Sequence, residues 1–117
     1  MSRSIEQRIE DILDAIQRCE RYVGALGSDD PDLIDMAEDA VERNLQVIGE
    51  AANHLPPEVT GAHPEIPWPQ IRGFRNILVH RYFGVDVATV RDVIDTHLPP
   101  LRDALRSHSD DVTGTAD

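Results

Sequence analysis

Apolar residues recur every three or four positions along most of the chain, which is the spacing of one buried face of an α-helix. The first stripe starts after Ser4, which stands three residues before Gln7 as in a capping box, and it stops at Gly27. A second stripe follows an Asp-Pro pair that suits the N-cap and the first helical position. The pattern therefore predicts two long helices, the second over about 31–55.

The middle of the chain is rich in proline, which predicts a connection between helices over about 56–69. This connection is long enough to hold a short helical turn around Glu58. Pro69 suits the first turn of a third helix, which we expect over about 68–83, with Gly84 closing it.

A fourth helix is predicted to start at Asp86, and the consecutive prolines at 99 and 100 should kink or restart it. The polar sequence that follows predicts a disordered tail over 108–117, after one helical domain over 1–107. Because the links are short and no strand pattern is present, we expect an all-α fold, a four- to five-helix antiparallel bundle with a kinked last helix.

The net charge of −11 argues against general nucleic-acid binding, since neutralised phosphates supply most non-specific affinity. The acidic residues, however, skip the whole window 66–85, which holds three arginines, a histidine and four of the five aromatic residues. This segregation predicts a local anion site in an acidic protein. Apolar runs are too short for a signal peptide or membrane span, so we expect a cytoplasmic protein.

The basic window contains the sequence R-G-F-R-N-I-L-V-H-R-Y-F-G, from 72 to 84. On a helix turning about 100° per residue, Asn76 and His80 share one face, while Arg75 and Tyr82 share another. One helix does not bring all four groups to a single point. Either the end of the helix loosens, or two copies of the chain pool these residues across a dimer.

These residue types suit metal-independent RNA cleavage. His80 can transfer protons near neutral pH, the guanidinium of Arg75 can bind phosphate, and Asn76 can fix the tautomer of the histidine. Arg72, Arg81 and Asn44 are candidate substrate contacts.

Simpler interpretations stand beside this one. Arginine, asparagine and histidine on an amphipathic helix are most often surface or capping residues, and Tyr82 alone is most often a packing residue. Asn44 lies within an apolar stripe, so it either bonds inside the core or faces a site. Cys19 also lies on an apolar stripe, which favours a small core residue over a nucleophile. The five histidines lack metal-ligand spacing.

The motif R-N-I-L-V-H-R-Y, from 75 to 82, resembles the Arg-(polar)-x3-His-x-Tyr motif of the HepT-like toxins of the HEPN superfamily. The stretch A-V-E-R-N-L-Q-V-I-G-E-A-A, from 40 to 52, resembles the second-helix signature of that family. The I-P-W before the motif and the late L-P-x-L, from 98 to 101, also fit.

The resemblance implies a dimeric helical bundle and a metal-independent RNase centred on Arg75 and His80, with Asn76 in support. It also implies a partner, a minimal nucleotidyltransferase antitoxin of the MntA type, which can transfer AMP to the tyrosine of the motif, here Tyr82. The alternative is a non-catalytic subunit that binds substrate for, or regulates, a nucleotidyltransferase. The complete motif favours the enzyme, and the net charge of −11 favours the binding subunit.

Overall fold

The computed structural model describes the backbone of residues 3–79 and 86–115, and the side chains of 3–79 and 86–109. This part of the chain contains helices and turns but no strand, which confirms the all-α prediction. The α-helices are α1 (Ile5–Tyr22), α2 (Pro31–Asn53), α3 (Pro57–Thr60), α4 (Trp68–Arg72), α5 (Val87–Thr96) and α6 (Leu98–Thr115).

Helix starts follow the capping signals in the sequence. The hydroxyl of Ser4 accepts a hydrogen bond from the backbone N–H of Gln7 at 3.1 Å, and the Gln7 side chain accepts one from the Ser4 N–H at 2.8 Å. This is the predicted capping box. Asp30 caps α2 and Asp86 caps α5 by accepting from backbone N–H groups of their first turns. After α1 the chain continues as a 3-10 turn, Val23–Gly27.

The core lies between the hairpin of α1 and α2 and the two helices at the end of the chain. Its largest fully buried side chains come from every long helix and exclude water from the centre of the bundle. They include Ile12, Ile16, Leu45, Ile48, Ile94, Leu98, Leu101 and Leu105. At the rim, Arg102 of α6 donates to Glu20 of α1 at 2.7 Å. None of the helices in the described ranges has the length and apolar character needed to cross a membrane.

The proline-rich connection is fixed by the single tryptophan of the chain. The short helix α3 confirms the predicted turn around Glu58. Trp68 is buried, and its indole N–H donates to the carbonyls of Thr60 and His63, both at 3.0 Å. Two carbonyls of an otherwise irregular segment thereby find a partner inside the protein. This arrangement anchors the start of α4.

The prediction of a continuous third helix over 68–83 is wrong. α4 ends at Arg72, a 3-10 turn covers Gly73–Asn76, and Ile77 is extended, with φ −77° and ψ 125°. Phe74 and Val79 are five residues apart, so on a continuous helix their side chains would point in directions about 140° apart. The extended backbone lets both be buried, at 4% and 1% exposure.

The last helix is bent at its prolines, as predicted, and consists of the two segments α5 and α6. α5 stops at Thr96 and α6 starts at Leu98, so the prolines at 99 and 100 occupy the first turn, where their missing N–H groups cost no hydrogen bond. This is the restart that the prolines predicted. The described backbone is helical to Thr115, and disorder of the tail over 108–117 stays a prediction. Proline is absent from 101–115 and glycine occurs only at 114, so nothing earlier breaks the helix.

Cys19 is a core residue, as its position on the stripe of α1 predicted. Its side chain has no exposure, and the thiol points to the carbonyl of Val41 at 4.0 Å. Burial, with a smaller contribution from the negative charge of Glu20, raises the pKa of the thiol to about 12. The group therefore stays neutral and unreactive over the physiological range.

Replacing Cys19 by alanine is expected to lower the free energy of unfolding by about 1 kcal/mol at pH 8, because a small cavity forms. This deficit should shrink at alkaline pH. Between pH 9 and about 12 the thiol ionises in the unfolded protein but not in the folded one. The free energy of unfolding of the wild type therefore falls by up to about 1.4 kcal/mol per pH unit, and the variant does not share this loss. Urea unfolding of both proteins from pH 8 to 10.5 tests this. A deficit that stays constant would contradict it.

Candidate active site and the arginine cleft

The residues of the motif that the structure describes lie on a tight turn at the edge of the bundle. This turn, Gly73–Asn76, is called the motif turn below. Phe74 is buried and attaches the turn to the core, while Arg75 and Asn76, the two residues that follow it, are exposed. Arg72, at the end of α4, is half-buried. The turn thus presents a guanidinium and an amide to solvent from a firmly held backbone.

The backbone of the motif turn lies directly against α2 at Gly49. A Cβ atom on this glycine would be 2.9 Å from the carbonyl oxygen of Arg72 and still closer to the backbone nitrogen of Arg75. Real Cβ atoms do not approach backbone that closely, so only glycine fits here. The motif turn is therefore the element that packs against α2 at this glycine.

Arg75 opens onto a cleft of about 440 Å³ formed by the start of α1, the middle of α2 and the motif turn. We call it the arginine cleft, because four of the eleven arginines of the chain line it. The lining residues are Arg3, Arg8, Asp11, Arg43, Gln46, Val47, Glu50, Ala51 and Arg75. The volume is in the range of pockets that hold a ligand the size of a nucleotide.

The cleft has an excess of positive charge. Arg3 forms an ion pair with Asp11 at 2.8 Å, which neutralises one arginine and one carboxylate. Glu50, the second carboxylate, lies 3.0 Å from the ring of His54. Among the residues whose side chains are described, no ion pair or hydrogen bond satisfies the guanidinium groups of Arg8, Arg43 or Arg75. Three arginines are therefore available to an anion.

Three of the predicted site residues, His80, Arg81 and Tyr82, lie outside the described residues. Their expected positions relative to Arg75 and Asn76 assumed one continuous helix, and the structure shows that the helix is not continuous. The helical backbone ends at Asn76, so the expected shared faces of Asn76 with His80 and of Arg75 with Tyr82 do not follow. The two alternatives for bringing the four groups together, a loosened helix end and a site shared across a dimer, stay predictions.

Asn44 is buried within α2, and its side-chain N–H donates to the carbonyl of Ala40 at 2.7 Å. The bond stays within one helix, which supports the structural interpretation of this residue. Its role as a substrate contact remains a prediction.

Sequence reasoning missed the three other arginines of the cleft. Arg3 precedes α1, Arg8 lies in the first turn of α1, and Arg43 lies 35 residues after Arg8. Arg8 and Arg43 are ordinary polar residues outside the buried stripes of their helices, so no local pattern joins the three arginines. The available signal was indirect, because Arg43 stands six residues before Gly49, a glycine within an otherwise regular helical pattern.

The fold and the motif define a class of protein. A family model described as ribonuclease HepT-like matches residues 12–108, which include α2, the arginine of the motif turn and most of α6. The chain belongs to the ribonuclease HepT-like family, within the HEPN superfamily, as the motif indicated.

Individual relatives agree with this assignment. The chain is 35% identical over 102 residues to a protein of Thermococcus cleftensis named probable ribonuclease HepT, covering 87% of this chain and 93% of that one. It is 31% identical over 105 residues to a Methanocaldococcus jannaschii protein whose name joins a gamma-glutamylcyclotransferase to a provisional RNase. That match covers 90% of this chain but 47% of the relative, so the chain spans about half of it.

A second M. jannaschii protein, named provisionally as an RNase, is 36% identical over 75 residues, covering 64% of this chain and 62% of the relative. No solved structure is significantly similar to this chain.

Proposed function

We propose that this protein is a metal-independent ribonuclease, the toxin of a type VII HEPN/MNT toxin-antitoxin pair acting in the cytoplasm. The observation that carries the proposal is the position of Arg75, exposed on a fixed turn and open to an arginine-lined cleft in a protein of net charge −11. Membership of the ribonuclease HepT-like family and the names of the relatives support the same activity.

In the proposed reaction, the ribose 2′-oxygen attacks the adjacent phosphorus and the bond from phosphorus to the 5′-oxygen breaks. His80 takes the proton of the 2′-hydroxyl, and a second acid returns a proton to the leaving 5′-oxygen. Arg75 stabilises the charge of the pentacoordinate phosphate through its fork of N–H donors. Asn76 orients the histidine, and Arg72, Arg81 and Asn44 are the proposed further contacts to the substrate.

The reaction needs one base and one acid, and the motif contains one histidine. We therefore include a two-fold homodimer in the proposal, so that two copies of His80 share the two roles. The exposed apolar side chains of Leu33, Met36 and Leu78 are surface that association would cover. Sedimentation at micromolar concentration should give about twice 13.1 kDa. An active monomer would contradict the shared site.

The chemistry of the products tests the ribonuclease proposal. With RNA and a chelator of divalent metals, the wild type should release fragments with 2′,3′-cyclic phosphate and 5′-hydroxyl ends, because the 2′-oxygen displaces the 5′-oxygen. An oligonucleotide of the same sequence in DNA is the control and should stay intact, since it has no nucleophile. Absence of cleavage, loss of cleavage with the chelator, or fragments with 5′-phosphate would each contradict the mechanism.

Regulation by a nucleotidyltransferase antitoxin of the MntA type is the second part of the proposal. This enzyme would transfer AMP from ATP to the hydroxyl of Tyr82, with pyrophosphate as the leaving group. Tyr82 is seven residues from Arg75 and two from His80 in sequence. A phosphodiester there adds negative charge where the proposed site must accept an RNA phosphate, so it should inhibit cleavage.

Replacing Tyr82 by phenylalanine should prevent modification without affecting the fold, because only a hydroxyl is lost. Mass spectrometry after incubation with the antitoxin, ATP and Mg²⁺ should show added AMP on the wild type and none on Tyr82→Phe. Tyr22→Phe, on α1, is the matched control and should be modified as wild type. Modification of Tyr82→Phe at the wild-type level, or rapid RNA cleavage by the modified protein, would contradict the assignment.

A second candidate is a non-catalytic subunit that presents substrate to a nucleotidyltransferase or regulates it. The net charge of −11 favours this function, because it weakens general attraction to RNA. The two functions differ in a simple readout. The subunit would bind the nucleotidyltransferase and change its activity, and the chelator assay would show no RNA cleavage by the wild type.

A further inference from the structure

We infer that the arginine cleft is a binding site for the sugar-phosphate backbone of single-stranded RNA, next to the scissile phosphate, with Arg8 and Arg43 as its principal contacts. The inference rests on the proposed ribonuclease function and names the part of the protein that holds the substrate. Neither arginine belongs to the motif that defines the candidate active site.

Arg8 comes from α1, Arg43 from α2 and Arg75 from the motif turn, and all three line one cleft. Arg75 is the proposed contact to the reacting phosphate. A polynucleotide bound there must continue in both directions, and the cleft offers its next phosphate two more guanidinium groups.

Arg8 and Arg43 have no ion-pair partner among the described side chains, whereas Arg3 in the same cleft is neutralised by Asp11. The chain as a whole carries twice as many acidic as basic residues, 22 against 11. Unpaired arginines gathered on one surface of such a protein are best explained by a ligand that supplies the negative charge.

The size and lining of the cleft also suit a single strand of RNA. Its volume of about 440 Å³ accommodates roughly one nucleotide. Val47, half-buried, and Ala51, buried, give it an apolar wall against which a ribose or base can pack. Glu50 limits the space open to phosphate, because its carboxylate repels the anion. Single strands match this narrow, mixed surface better than a duplex, which needs a broad basic face.

Binding is best measured with the full-length wild type and a fluorescent single-stranded oligouridine in its 2′-O-methyl form, which lacks the attacking hydroxyl. Arg8→Gln and Arg43→Gln should each raise the Kd about tenfold, the loss expected for a charge-assisted hydrogen bond. Each should also reduce the slope of log Kd against log salt concentration by about 0.7, the value for one phosphate contact on a single strand. Glu50→Gln should instead lower the Kd, since it removes a repulsive charge.

Arg106→Gln is the matched control, because it removes one exposed arginine from α6, away from the cleft residues, and should leave Kd and slope unchanged. With cleavable RNA, the cleft variants should raise KM more than they lower kcat, as expected for residues that position substrate. Circular dichroism of each variant should match wild type.

The outcomes separate this inference from the proposed function. If the wild type cleaves RNA but Arg8→Gln and Arg43→Gln bind like Arg106→Gln, the cleft is not the RNA site and the ribonuclease proposal stands. If AMP binds the wild type and loses affinity in these variants while RNA binding does not change, the cleft is a mononucleotide site and the inference is wrong. If the wild type neither binds nor cleaves RNA, both proposals fail.

Discussion

Replacing His80 by alanine is expected to lower the rate of RNA cleavage about 1,000-fold, the range observed when a general acid or base is removed. Arg75→Ala should cause a loss of about 100-fold or more, because the charge of the pentacoordinate phosphate loses its donors. Arg75→Lys should restore only part of the rate, since an ammonium group lacks the planar fork of a guanidinium. The measurement is single-turnover cleavage of a labelled RNA under chelator.

Two controls make this result specific. His108→Ala removes a partly exposed histidine of α6, and Arg106→Ala removes an exposed arginine of the same helix; neither lines the arginine cleft. Both should cleave RNA within about twofold of wild type, as expected for surface positions away from the chemistry. All variants should keep the helical signal of wild type. A His80→Ala protein that cleaves RNA within tenfold of wild type would contradict its role as acid or base.

Replacing Gly49 by alanine is expected to destabilise the protein by about 3 kcal/mol, and it should also lower RNA cleavage, although the residue carries no reactive group. The added methyl would overlap the backbone at Arg72 and Arg75, and neither α2 nor the motif turn can move without disturbing Phe74 in the core. Thermal and urea unfolding would measure the loss of stability, and the cleavage assay would report the displacement of Arg75.

Two other glycines provide matched controls for Gly49→Ala. A Cβ on Gly24 or Gly73 would meet nothing within 4 Å. Alanine at either position should therefore change stability by less than about 0.5 kcal/mol. Gly73 is especially informative because it belongs to the motif turn itself. If Gly49→Ala were as stable as these controls, the motif turn would not depend on its close contact with α2.

Much of the fold was predictable from the sequence because its helices start with local signals. Ser4 with Gln7, Asp30 before proline, and Asp86 each make the capping bond that their position implies. These bonds involve residues a few positions apart, so a single sequence contains the information. The spacing of apolar residues that marks the buried face of each long helix is also a signal between residues a few positions apart.

The motif turn could not be predicted in this way. Its sequence has the spacing of an amphipathic helix, and Gly73 alone is weak evidence against one. What ends the helix is tertiary packing, namely the docking of the turn on Gly49 and the burial of Val79 in an extended segment. The arginine cleft was missed for a related reason, since Arg8, Arg43 and Arg75 become neighbours only when three elements come together.

The environment of Trp68 gives the protein an internal optical probe. The chain has a single tryptophan, and its indole is 6% exposed and hydrogen-bonded to the connection before α4. Its fluorescence emission should be shifted to the blue in the native state and move to the red when water reaches the ring. Because Trp68 starts the helix that leads to the motif turn, stopped-flow fluorescence can follow the ordering of this region separately from the circular dichroism of the whole bundle.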